Sequence, residues 1–269
     1  MDRSDVPARP AAPPRVPEQV PPAGRGRGPA RAVVVCCVLA LAVGLVVVLT
    51  DDDGGGPADR RALTAPGFRA ADPGTVVLDG VSGTVQVTAD ADARAVTGSF
   101  HRADGRPAAL RGATVDDPAS GGRALSLRCE DDRGLPQPCA GDLVLTLPPH
   151  TGLRLRQTSG VAVLRGLGGD LGLDASSIQL TTRDLRSPHA EVTVVSGSAD
   201  IGFAAAPADL DLHASSASVA VRLPRTGDGY AVTTTAASAD VQVLVPRDPS
   251  AGHRVALTVA SGSLSVQDA

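Results

Sequence analysis

LDLHASSASVAVRL, residues 210–223, sets the pattern that the rest of the chain follows. Take Ser216 as position zero. Leu210 and Leu212 lie six and four residues before it; Val219 and Val221 lie three and five after it. Apolar residues two apart share one face of a strand. The stretch therefore predicts strand, short Ser-centred bend, strand. The same spacing occurs around Ser82, Ser159, Ser177, Ser198, Ser216, Ser238 and Ser261. The preceding pairs are Val76/Leu78, Leu153/Leu155, Leu171/Leu173, Val192/Val194, Leu210/Leu212, Val232/Thr234 and Val255/Leu257.

Recurrence at a short, near-constant period is the mark of a stacked repeat. One copy cannot bury its apolar face, whereas stacked copies lay Leu on Leu and Val on Val. The expected fold is all-β, a parallel β-solenoid-like stack of short strands in which successive coils pair. Leu155, Leu173, Val194, Leu212 and Leu257 are expected in one row. The residue after the serine is usually Gly or Ala, with Ile178 an exception. A small hydroxyl residue suits an inward corner and can bond its own backbone. Hairpins in an up-and-down sandwich are the alternative, but they give no reason for the bend chemistry to repeat.

Composition agrees with a thin aliphatic core. Aromatic residues make up 1%, with no Trp, one Tyr and three Phe. The formal charge is -4, so bulk electrostatics point to no nucleic acid partner.

Residues 32–49, AVVVCCVLALAVGLVVVL, contain no charge and no Pro. Eighteen helical residues reach ~27 Å, close to the bilayer's hydrocarbon core. Arg25, Arg27 and Arg31 precede the run and Asp51, Asp52 and Asp53 follow it. The basic flank predicts a cytoplasmic amino terminus, with 51–269 outside a cell membrane crossed once. A cleaved signal peptide would have a shorter basic start, a shorter apolar run and an A-x-A site. Val35 before Cys36 does not suit a lipidation site either. The expected organisation is a disordered cytoplasmic tail at 1–31, a transmembrane helix at 32–49 and a flexible linker at 50–72. An N-terminal β part follows at 73–150, with the repeat β-solenoid at 151–269. Within 73–150, strands are expected at 75–79, 84–89, 94–100, 123–128 and 142–147, and a loop or irregular crossover at 102–121.

An oxidising exterior makes Cys129 and Cys139 a predicted disulfide. A two-Cys metal site would need two further ligands, and neither a His nor a second Cys pair lies nearby. No other site residue is predicted: no catalytic, cofactor-binding or metal-ligating set, and no cofactor. The five His (His101, His150, His189, His213 and His253) form no HExxH. There is no G-x-S-x-G elbow or P-loop. Gly166-Leu167-Gly168-Gly169 reads as a corner, because no helix follows it.

The copies VVSGSADIGF (194–203), ASSASVAVRL (214–223), AASADVQVLV (236–245) and VASGSLSVQ (259–267) resemble the Ser-Gly-Asp-Val strand repeats of the bacterial putative-adhesin domains of unknown function. The resemblance covers about 73–269, including a Cys pair before Leu-Thr-Leu-Pro-Pro at 145–149. It implies a solenoid-like domain behind a single membrane helix and an adhesin-like role. The Asp two residues after the serine is kept only at Asp200 and Asp240. The expected function is a non-enzymatic, membrane-anchored, adhesin-like binding or scaffold module of the cell envelope. Its partner would be an envelope polymer or surface protein. An envelope sensor is the alternative. A solenoid-type polysaccharide-active enzyme would need clustered carboxylates in a cleft, and sugar platforms that the aromatic content does not supply.

Overall fold

The computed structural model describes residues 67–269, except 72, 106–109, 118–120, 131–132 and 134. It also describes the backbone of Val47–Leu49 and Arg61–Ala62. The predicted tail, the span up to 46 and most of the linker, with Cys36 and Cys37, lie outside the described residues. Among the described residues, no helix is long and apolar enough to cross a membrane.

The described chain is all-β, one large and mostly parallel sheet. Its strands in chain order are β1 (Val47–Leu49), β2 (Arg61–Ala62), β3 (Gly67–Ala71), β4 (Thr75–Asp79) and β5 (Val81–Ala89). Then come β6 (Ala95–Arg102), β7 (Leu110–Asp117), β8 (Gly122–Cys129) and β9 (Cys139–Leu147). Six long strands close the chain: β10 (Gly152–Arg165), β11 (Leu171–Leu185), β12 (His189–Phe203), β13 (Asp209–Leu223), β14 (Ala231–Val243) and β15 (Arg254–Asp268). Each repeat is thus one long strand that runs through its bend, not two separate short ones. The bend shows in the pairing. Gln157 faces Ala175 and Ser159 faces Ser177, while Thr158 and Ser176 are skipped in the ladder.

The register stacks the inward side chains in rows. One runs Leu127, Leu78, Leu155, Leu173, Val192, Leu212, Leu257, Thr234. Another runs Leu145, Val87, Leu164, Thr182, Ile201, Val221, Val266, Val243. Most of these side chains are fully buried. Each fully buried Val, Leu or Ile contributes roughly 1.5–3 kcal/mol of transfer free energy. Buried Thr182 is polar, and its Oγ1 accepts a hydrogen bond from the Gly202 N–H at 3.2 Å.

The predicted row needs one correction. Leu173 faces Val192, and Val194 faces Ala175. The serine in register is Ser196, which faces both Ser177 and Ser216; Ser198 faces Gln179 and Ser218. Strand periodicity is two, so a two-residue slip leaves every side chain on its own face. Ala190, Val192 and Val194 alternate without a break, which hides the slip. Gly197 then follows the serine, with φ of 106°. A Cβ there would lie 2.2 Å from the Ile178 carbonyl oxygen, so only Gly fits.

The stacking order also departs from chain order. β13 pairs with β15, and β14 lies outside β15 at the end of the sheet. The composition explains the exchange. β15 offers Val255, Leu257 and Val259 to the core, all buried; β14 offers Val232, Thr234 and Ala236. The strand richer in apolar side chains takes the two-sided position. Tyr230, fully buried, fastens the crossover: its hydroxyl donates to the Pro224 carbonyl at 2.6 Å. Burial raises its pKa to about 12.

At the other end, β4 and β5 form one coil broken at Gly80, and both pair with β10. β8 then pairs with β4, and β9 with β5, both parallel. β8 and β9 are therefore the two arms of a further coil, with residues 130–138 inserted at its bend. Antiparallel strands finish the arms, β7 on β8 and β6 on β9, with β3 on β6. Two sequence expectations change here. Residues 110–117, inside the expected loop, form β7; Gly112 and Ala113 are small enough to blur the alternation. Residues 67–71, at the end of the expected linker, form β3. The last residues of the apolar run, Val47–Leu49, pair parallel with Phe68–Ala70.

Candidate binding face

Cys129 closes β8 and Cys139 opens β9, and the two are joined by a disulfide, Cα to Cα 5.9 Å. Both are buried. The bond closes the corner that the 130–138 insertion opens, so its role is architectural.

The bend serines have the same character. Ser159, Ser177 and Ser216 are exposed, not inward. The hydroxyls of Ser177 and Ser216 bond to the neighbouring coil and not to their own backbone. Ser196 Oγ donates to the Ser176 carbonyl at 2.7 Å, and Ser261 Oγ to that of Ser215 at 2.8 Å. The Ser177 and Ser196 hydroxyls lie 3.0 Å apart, as do those of Ser216 and Ser261 at 3.1 Å.

The two Asp singled out in the sequence stand in different rows. Asp240 faces Ser263, whereas Asp200 faces Thr181 and Ala220 and pairs with Arg222. The five His are dispersed. His101 faces Asp142 across β6 and β9, and His150 lies in a turn. His253 Nδ1 lies 2.8 Å from the Pro207 carbonyl, its ring 5.8 Å from that of Tyr230. Among the described residues, no group of three or more His, Cys, Asp or Glu is placed to hold a metal ion.

Chemistry concentrates instead on the outward face of the first arm. The inward row positions alternate with outward ones, and the register stacks these as strictly as the core. One outward row runs Val77, Arg154, Gly172, Glu191, Asp211. The next runs Asp79, Arg156, Asp174, Thr193, His213. Arg156 pairs with Asp174 at 3.2 Å, and His213 Nε2 lies 3.1 Å from Asp211 Oδ1. His189 Nδ1 is 3.3 Å from Asp209 Oδ2. Arg254 hydrogen-bonds Asp209 from the other side and holds its carboxyl below the usual carboxylate range.

Gly172 interrupts this grid. With no side chain between Arg154 and Glu191, the surface dips there. Two shallow depressions of about 320 and 500 Å³ adjoin it. Both are walled by Arg154 on one side and Glu191 on the other; Arg154 Nη1 is held 3.1 Å from buried Asp117 Oδ1, Asp209 and Asp211 extend the acidic wall of the first depression, and Arg156 lines the second together with Asp79 and its partner Asp174. Glu191 faces Asp211 directly, a like-charge juxtaposition that costs stability. Among the described residues Glu191 has no ion-pair partner. No catalytic motif marks these residues in the sequence. The signal was present: charges at odd offsets before each serine, where the pattern faces them outward.

No protein-family model matches the chain, and no curated protein matches it. Among solved structures it is similar to a putative cell adhesion protein from Clostridium sporogenes, at TM-score 0.45 and 7% identity, covering 79% of this chain and 99% of that one. It is also similar to a putative adhesin from Bacteroides fragilis, at TM-score 0.36 and 12% identity, covering 78% and 97%. A putative lipid binding protein from Parabacteroides distasonis matches at TM-score 0.28 and 8% identity, covering 80% and 98%.

Proposed function

We propose that this protein is a membrane-tethered, non-enzymatic display module of the cell envelope, and that the face around Gly172 binds a polar envelope polymer. The apolar run that begins at residue 32 and leads into β1 supplies the tether, and the solenoid-like stack holds the face rigid outside the membrane. One observation carries the reading: a glycine-made notch between ion-paired Arg154 and Glu191, which has no ion-pair partner among the described residues, on a sheet whose register fixes every wall residue. Carboxylates accept hydrogen bonds from hydroxyls, and guanidinium groups donate to carboxylates or phosphates. A polymer carrying both hydroxyl and acidic groups satisfies both walls. Shallow, open depressions suit an extended chain better than a small buried substrate.

The notch can be filled without harm to the fold. A Cβ on Gly172 would meet only the Arg154 Cγ, at 3.4 Å. The test is retention of the full chain, solubilised in detergent, on isolated cell-wall polymers. Wild type is expected to bind saturably, Gly172→Gln to bind weakly at unchanged Tm, and Glu191→Gln to bind weakly at a Tm no lower than that of wild type, because it relieves the repulsion from Asp211. Equal retention of all three proteins counts against this face. Glycan turnover that disappears in Asp200→Asn would instead make the protein an enzyme.

A further inference from the structure

We infer that β14 is a pairing edge for a second copy of this chain, giving a dimer of two stacks joined tail to tail. Among the described residues, β14 pairs on one side only. Its 13 residues contain one charge, Asp240, and no Pro. Long edges of this kind are normally blunted by charge, Pro or a bulge.

The hydrogen-bonding phase of the free side can be read from the paired side. Ala231 N–H donates to the His253 carbonyl and Leu244 N–H to the Val266 carbonyl. Backbone groups alternate along a strand. In the first arm, Val232 and Thr234 therefore turn their N–H and C=O to the free edge; in the second arm, Val241 and Val243 do so. These are also the inward positions of each arm.

A two-fold axis through the bend, between Ala237 and Ser238, exchanges the two arms. It places Val232 opposite Val243 of the second copy and Thr234 opposite Val241. In each pair both residues have free backbone groups and both face inward, so ladder and core continue together across the axis. Outward, Thr233 meets Gln242, and Thr235 meets Asp240, which can accept its hydroxyl. No like charges meet. A one-residue slip would set inward residues against outward ones.

The opposite end cannot substitute. There the two arms carry separate antiparallel strands, β7 beyond β8 and β6 beyond β9, so no continuous bent edge is offered. A head-to-tail filament is excluded and the contact closes as an isologous pair.

The test uses the full chain in detergent. Sedimentation should report a dimer at micromolar concentration. Thr234→Pro removes a donor on the free side alone; it should weaken association at least about ten-fold while leaving Tm of the dilute protein unchanged. Thr233→Cys combined with Gln242→Cys should cross-link two chains, and neither single variant should. A monomeric wild type overturns the inference, whether another segment covers β14 or nothing does. A dimer that survives Thr234→Pro, or that fails to cross-link in the double variant, overturns it equally.

Discussion

The two ends of the stack solve the same problem by opposite means. Every stack of repeats must stop, and the last coil exposes the apolar positions that its neighbours bury. At the N-terminal end the chain adds material. An interrupted coil (β8 and β9) is stapled at its corner by Cys129–Cys139, and antiparallel strands cover its arms. At the C-terminal end it removes apolar character. β14 keeps the repeat backbone but puts Thr234 where Leu212 and Leu257 stand in their coils, and Ala236 where β15 has Val259. The chain then folds back so that β15 fills the two-sided position. Stability is therefore expected to be concentrated between β4 and β15 and to fall away at β14.

One substitution made twice in one row should separate the two ends most strongly. Leu212→Asp places an unpaired charge in the buried ladder and should cost several kcal/mol, enough to unfold the stack at moderate temperature. Thr234→Asp is the same change on the exposed edge; it should move the stability of the dilute protein by no more than about 0.5 kcal/mol. Denaturant unfolding of both variants checks the pair. Similar losses would mean that β14 is not the edge.

Next in size is the staple. Replacing Cys139 by Ser should lower stability by roughly 2–3 kcal/mol, the chain-entropy value for a loop of about ten residues. The loss should appear as fraying of β8 and β9 in hydrogen exchange while β11 to β13 keep their protection. Uniform loss of protection would make the staple part of the central core instead.

A smaller effect should come from the crossover. Tyr230 is the only tyrosine, so its ionisation can be followed by tyrosinate absorbance. Its pKa, raised to about 12 by burial, exceeds the unfolded value of about 10. The neutral phenol is the form the fold favours. Its contribution is complete below pH about 10 and declines as pH rises toward about 12. Tyr230→Phe should remove that alkaline decline. At neutral pH it should cost about 1 kcal/mol for the lost bond to the Pro224 carbonyl. A midpoint near 10 in the native protein would place the ring in water and detach it from the crossover.

Much of this was legible in the sequence, and the boundary of legibility is physical. The apolar pairs flanking each serine give the strands, their bends and the inward rows, because burial on one face leaves a period-two trace. The disulfide followed from two cysteines and the expectation of an oxidising exterior. The slip between Ser196 and Ser198 was not legible, because even shifts preserve that trace. The eighth coil was missed because its corner holds an insertion; Leu125/Leu127 and Leu143/Leu145 are its flanking pairs, in register with Val76/Leu78 and Val85/Val87. The exchange of β14 and β15 was hidden for another reason. Chain order is the default for stacking, and only the Thr and Ala at inward positions of β14 argue against it. The binding face was spelled out in outward charges, yet nothing in the spacing says which outward row is interrupted by a notch until Gly172 is placed between Arg154 and Glu191.

The claim on which the rest depends is that β13 lies against β15. Ser216 and Ser261 hydroxyls are 3.1 Å apart, and Ser238 lies beyond Ser261 in the same row. Paired cysteines test this directly. Ser216→Cys with Ser261→Cys should form an intramolecular disulfide on mild oxidation, mapped by mass spectrometry of the unreduced digest. Ser216→Cys with Ser238→Cys should stay reduced. Bonding of the second pair and not the first would restore chain-order stacking and remove both the open edge and the account of how the stack ends.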